Sequence, residues 1–157
     1  MDTTYIVLDG VSSTLSADGS TLTWTIGDYF FKDLRSDERL KLRLIYGQYI
    51  GKITTIETSP ITTSEVYANI KLLNQSDTYN NDGYSLLGIV DANIDVANST
   101  ASASVNSLKQ PTFIINKFNE ISIQCLHHGT TLDFTSHIDG VSQNYCKFVF
   151  EVSKINN

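Results

Sequence analysis

Glu38-Arg39-Leu40-Lys41-Leu42-Arg43-Leu44-Ile45-Tyr46 alternates apolar and charged residues more strictly than any other part of the chain. Leu40, Leu42, Leu44 and Tyr46 fall on one parity, and Arg39, Lys41 and Arg43 on the other. Successive side chains of a strand point to opposite faces, so this is a half-buried β-strand with one apolar and one basic face. At helical spacing the same residues would scatter around the whole cylinder. The expectation is that Leu40, Leu42, Leu44 and Tyr46 form one wall of a core, with the basic row outside.

The same period recurs on both sides. Thr3 to Asp9 is a short apolar strand around Tyr5, Ile6, Val7 and Leu8, closed by the turn signal Asp9-Gly10. Leu22, Trp24 and Ile26 alternate with Thr21, Thr23 and Thr25 behind Asp18-Gly19, the pattern of a hairpin. Asp28 to Arg35 is the best helix candidate, with Asp28 as N-cap and Phe31 and Leu34 three apart. Beyond Gly47 the β pattern continues to Thr58, and Ser64 to Leu73 alternates again. Tyr84 to Val96 holds a further strand. Ala97 to Asn106 is small and polar, and reads as a long loop with at most a weak edge strand. In the last third, Glu120 to His127 carries Ile121, Ile123 and Cys125 on one face, and Asn144 to Val152 carries Cys146, Phe148, Phe150 and Val152. Thr112 to Asn116 and Thr130 to Thr135 complete the set. About eight to ten short strands with regular turn signals describe an all-β, antiparallel sandwich or barrel.

The 157 residues are enough for one domain, 1–157, with its own core. Charged residues make up 18%, against about 25% in an ordinary soluble chain. The net charge of −6 disfavours free nucleic-acid binding, which needs local positive charge at phosphates. The N-terminus has no basic region ahead of an apolar stretch, so no signal peptide is expected. No apolar run approaches the roughly 20 residues of a membrane span. Cys125 and Cys146 are then expected as reduced, buried thiols, the alternative being a bridge between adjacent strands in an oxidising compartment.

Three constellations bear on chemistry. His127, His128 and His137 with Asp133 supply zinc-type donors, but neighbours on a strand face opposite ways, so His127 and His128 share an ion only across a bulge. Asp91-x-Asn93-x-Asp95 resembles the opening of a calcium loop. Val96 stands where that loop needs glycine and no closing glutamate follows, so the solvated face of a strand is the competing reading. Arg39, Lys41 and Arg43 form the third, a surface for nucleic acid or for an acidic partner; the absence of aromatic residues interleaved on that face favours a solvated face or a subunit contact with neighbouring carboxylates. No nucleophile elbow, phosphate loop or metalloprotease helix occurs, so no catalytic residues and no cofactor are expected.

The order of segments carries a resemblance. Thr23-Trp24-Thr25-Ile26 is followed by Leu40-Lys41-Leu42-Arg43-Leu44, then by Val66 to Asn74, Tyr84 to Val90 and Phe118-Asn119-Glu120-Ile121-Ser122-Ile123-Gln124-Cys125-Leu126. This resembles the single jelly-roll minor capsid and penton-type proteins of large eukaryotic double-stranded DNA viruses and virophages. Cys125 displaces the terminal leucine of the late strand by one place, and His127-His128-Gly129 replaces the usual turn. The resemblance implies an eight-stranded jelly roll in a virion, assembled in the host cytoplasm. Its partners would be other capsid proteins or copies of itself, with Arg39, Lys41 and Arg43 as subunit contacts. A lectin-like, carbohydrate-binding sandwich is the alternative. Its stacking platforms would be Tyr67, Tyr79 and Tyr84, with calcium held by Asp91, Asn93 and Asp95.

Overall fold

The computed structural model describes residues 3–27, 38–52, 67–73, 85–95, 100–104, 112–115, 119–127, 130–135 and 146–155. Most of these lie in strands, all paired antiparallel, and the one helical element is a 3₁₀ turn at Gly10–Ser12. The strands are β1 (Thr3–Asp9), β2 (Thr14–Leu15), β3 (Leu22–Thr25), β4 (Leu40–Lys52), β5 (Tyr67–Leu73) and β6 (Ser85–Asp95). They continue with β7 (Thr100–Ser104), β8 (Thr112–Ile115), β9 (Glu120–His127), β10 (Thr130–Thr131) and β11 (Cys146–Lys154). The helix expected over 28–35 lies outside the described residues.

Two antiparallel sheets result. In the first, β11 lies between β1 and β4. The other edge of β4 is shared by β8, along Leu40–Arg43, and β7, along Gln48–Lys52. Those two run in the same direction beside β4, as two pieces of one interrupted strand. In the second sheet the order is β3-β9-β5-β6, with β2 beyond β3. β7 also pairs with β6, so hydrogen bonds pass from one sheet into the other. Within Ala97 to Asn106, expected as a long loop with at most a weak edge strand, Thr100–Ser104 is instead a strand bonded on both edges; the other residues lie outside the described ones. The strand's residues are too small to show apolar alternation, and backbone pairing, not side-chain burial, defines it.

At the same end of β4, on its opposite edge, the chain after β10 joins the sheets again. Lys52 and Asp133 exchange backbone hydrogen bonds of 2.7 and 2.9 Å, while Leu132 N–H donates to the Cys125 carbonyl at 2.8 Å. Phe134 N–H donates to the Gly19 carbonyl at 2.9 Å. Leu132 and Phe134 are wholly buried over Gly51, where a Cβ would stand 2.9 Å from Leu132 Cβ. Glycine at 51 is a close-approach requirement.

Both sheets contribute to one core. Ile6, Leu8, Leu40, Leu42, Leu44, Phe148, Phe150 and Val152 come from the first; Leu22, Trp24, Ile121, Ile123 and Cys125 come from the second. Trp24 meets Phe148 edge-on with ring centroids 6.0 Å apart. Its indole N–H, buried with the ring, donates to the Asp9 carbonyl at 2.7 Å and so ties β3 to the end of β1. The expected apolar faces of β3, β9 and β11 are thus the buried ones.

β4 departs from its expected pattern at one residue. Leu40, Leu42 and Leu44 are buried, but Tyr46 is 44% exposed, and burial resumes at Gly47, Tyr49 and Gly51. Phe150 stands opposite Leu44 and Val149 opposite Tyr46, so Ile45 is an extra residue with no counterpart in β11. A bulge of this kind exchanges the two faces for everything beyond it. Tyr46 is therefore not part of the core wall. Strict alternation across Ile45 misassigns it because the bulge is set by pairing with β11, more than a hundred residues away. The same place is where β4 changes neighbours, from β8 to β7.

Candidate functional site

The outer face of the first sheet gathers the residues that the sequence singles out for contact. Register fixes its rows. Thr3, Ser153 and Lys41 lie side by side, then Tyr5, Glu151 and Arg43, then Val7, Val149 and Tyr46, then Asp9, Lys147 and Gln48. The basic row of β4 is thus one column of a mixed surface.

Its three cations are not equivalent. Arg43 Nη2 donates to Glu151 Oε1 at 3.0 Å, so its charge is compensated within the chain. Arg39 and Lys41 are exposed, and among the described residues neither faces a carboxylate within ion-pair distance. Lys147 sits 3.7 Å from Asp9, and Lys154, on the opposite parity of β11, sits 3.8 Å from Glu38, so these two cations are also compensated within the chain. Of the three residues expected as subunit contacts, Arg39 and Lys41 are therefore the ones that present charge outward.

Between the charged rows runs an apolar one. Val7 is 55% exposed, and Tyr46 at the other end of the row is turned out by the bulge. Tyr5, in the adjacent row, is also 55% exposed. Sequence alternation within β1 and β11 places Tyr5, Val7 and Val149 on this face, but their meeting with Tyr46 depends on long-range register, so the face expected to lack aromatic residues carries two tyrosines.

The metal candidates fall elsewhere. Asp91, Asn93 and Asp95 lie in regular strand β6, opposite Ser104, Ser102 and Thr100 of β7. A strand sets alternate residues about 6.6 Å apart along a line, whereas a calcium loop wraps its oxygens around the ion. His127 ends β9, opposite Ala68 and Thr130; His128 and His137 lie outside the described residues. Asp133 is turned into its own loop: Thr135 donates to Asp133 Oδ1 from its hydroxyl at 2.5 Å and from its N–H at 2.8 Å. These bonds, the hydroxyl's foremost, lower its pKa. Asp18 is held the same way in the β2–β3 turn, and the Ser16 hydroxyl, followed by the Ser20 N–H and hydroxyl, brings its pKa down to about 2. Gly19, at φ 76°, lies between the two carboxylates; a side chain there would overlap Asp133 and Thr135. No group of three His, Cys, Asp or Glu residues converges among the described residues.

The two cysteines are free thiols inside the core. Burial raises both, Cys146 to about 12, which suppresses the reactive thiolate. Tyr49, cross-strand from Cys146, buries its hydroxyl without a hydrogen-bond partner among the described residues, and burial raises its pKa as well.

No helix among the described residues is long and apolar enough to cross a membrane. Compared with known proteins, the chain matches no family model and no curated protein.

Proposed function

We propose that this chain is a structural protein of an icosahedral viral capsid, a minor capsid or penton-type component that folds as a jelly roll. It works by association with other capsid proteins or with copies of itself. The observation that carries the reading is strand order. With the two-residue strands β2 and β10 set aside, and β7 taken with β8 as one interrupted strand, eight strands remain among the described residues. The first sheet then runs first, last, third, sixth, and the second runs second, seventh, fourth, fifth. A double-sheet jelly roll built from two Greek keys distributes its eight strands in this order. The order of segments, which resembles that of such capsid proteins, agrees with this reading.

The outer face of β4 suits the role. Arg39 and Lys41 offer positive charge on a chain of net charge −6, so another acidic capsid surface is a complementary neighbour. The apolar row beside them supplies area that a subunit contact would bury. Virion assembly in the host cytoplasm agrees with two buried thiols.

Co-sedimentation tests the reading. The chain should travel with particles from its native source at a constant ratio to the main coat protein. A free monomer absent from those particles would reject it. Binding on a glycan array, strengthened by calcium, would favour the carbohydrate-binding alternative instead.

A further inference from the structure

Among the described residues, the first sheet has an edge without the devices that ordinarily protect one. β1 ends the strand order, and among the described residues nothing pairs with its outer side. Exposed edges are usually short, charged, bulged or interrupted by proline. β8, at the far edge of this sheet, has four residues, and β2, at the end of the other, has two. β1 has seven in unbroken register with β11. Thr3 to Asp9 contains neither lysine nor proline, and its outward residues Tyr5 and Val7 are apolar and more than half exposed.

We propose that β1 pairs antiparallel with β1 of a second copy about a two-fold axis near Ile6, so that the first sheet continues from one chain into the next. The strand is complementary to itself in that arrangement. Tyr5 of each copy lies opposite Val7 of the other, an aromatic and β-branched pair of the kind that stabilises antiparallel sheets. Ile6 meets Ile6, and Thr4 meets Leu8. Asp9 falls opposite Thr3, so no like charges oppose each other; within its own chain Asp9 is already beside Lys147. The edge is thus neutral although the chain carries −6, and a second acidic copy can approach it. The apolar row also gains a continuation: Tyr46, Val149 and Val7 of one copy lead to Tyr5 of the other. The contact is isologous, as two-fold association requires. It does not depend on the capsid reading, since any function is compatible with such a dimer.

The test uses the full chain. Sedimentation velocity over a concentration series should show a monomer–dimer equilibrium. Val7→Lys should move its midpoint to about tenfold higher concentration or more, with an unchanged thermal unfolding midpoint at a concentration where both forms are monomeric. An equimolar mixture of Tyr5→Cys and Val7→Cys chains should give the mixed disulfide dimer on mild oxidation, ahead of either homodimer; the native thiols are buried and stay silent. A monomer at every concentration together with no mixed cross-link overturns the proposal, and is the result expected if β1 receives a strand from a different protein. Dimers unaffected by Val7→Lys, or cross-linked first through Tyr5→Cys alone, overturn it as well.

Discussion

Tyr46 stands opposite Val149 on the outer face of the first sheet, while Leu44, two residues earlier, stands opposite Phe150 in the core. One inserted residue, Ile45, separates a buried leucine wall from an outward tyrosine. It also places Tyr49 in the core, where its ring lies 6.4 Å from that of Phe148. Removing Ile45 would join Leu44 directly to Tyr46, whose partners Phe150 and Val149 are already consecutive, so the ladder would become regular with Tyr46 still outward and Tyr49 still inward. Deletion of Ile45 is therefore expected to keep cooperative unfolding and to cost about 3 kcal/mol or less, whereas deletion of Gln48, which turns Tyr49 outward, should abolish it. Ile45→Ala, which keeps the residue count, should cost about 1 kcal/mol or less. Denaturant titration of the two deletion variants makes the comparison, and equal losses would remove the bulge at Ile45 as the cause of the face exchange.

Tyr49 gives a test of opposite sign. Its hydroxyl is buried with no partner among the described residues, so it bears a desolvation penalty without return. Tyr49→Phe keeps the ring and removes the penalty. Stability should stay level or rise by about 1 kcal/mol. A loss of that size would mean the hydroxyl is hydrogen-bonded in solution.

Packing at Gly51 is tight enough to punish a single methyl group. A Cβ at Gly51 would lie 2.9 Å from Leu132 Cβ and 3.1 Å from the Phe134 ring. Gly51→Ala should cost about 1–3 kcal/mol through displacement of the segment that joins the sheets at this end. Chemical denaturation measures it, and a neutral result would mean that Leu132 can move aside freely. By comparison, Phe150→Ala, which opens a cavity at a wholly buried position, should cost about 3–5 kcal/mol.

Acid sensitivity follows from the turn carboxylates. Asp18 is depressed to about 2, chiefly by the Ser16 hydroxyl, and Asp133 is lowered by Thr135. A carboxylate with a folded pKa below its unfolded one adds stability that is present above the unfolded value and lost as pH falls through the folded one. The contribution of Asp18 should thus disappear between its ordinary value of 3.8 and about 2. Asp18→Asn should flatten the melting temperature against pH in that interval. An unchanged acid limb would show that these hydrogen bonds do not outlast exposure to solvent.

Much of this architecture is legible in single segments. Leu22, Trp24 and Ile26, or Phe148, Phe150 and Val152, declare their buried face by alternation alone, because each strand meets the core without interruption. Thr100–Ser104 and Tyr46 are not legible in that way. The first is defined by hydrogen bonds on both edges, which small side chains do not advertise. The second is turned outward by a partner strand at the opposite end of the chain. Among the candidate contacts, outward placement of Arg43 could be read from parity, but its compensation by Glu151 could not, since that pairing spans 108 residues. The metal-like spacing of Asp91, Asn93 and Asp95 has the same origin as strand alternation, which also puts polar residues at every second place.

Charge on β4 can consequently be probed more cleanly than the whole basic row suggests. Arg43→Glu would confront Glu151 and disturb folding as well as contacts. Lys41→Glu, with or without Arg39→Glu, changes exposed charge alone and should leave the unfolding midpoint within about 0.5 kcal/mol of the parent while impairing assembly. A double-mutant cycle on Arg43 and Glu151 should yield a coupling of about 0.2–1 kcal/mol, since both side chains keep solvent contact.

Electron cryomicroscopy of particles from the native source tests the capsid proposal most directly. The expected result is a two-sheet domain at a fixed position in the shell, in contact with other capsid chains or copies of itself, with Arg39 and Lys41 facing a neighbour's acidic surface. Particles whose whole protein density is accounted for by other chains, with this one recovered only from the unassembled fraction, would contradict it.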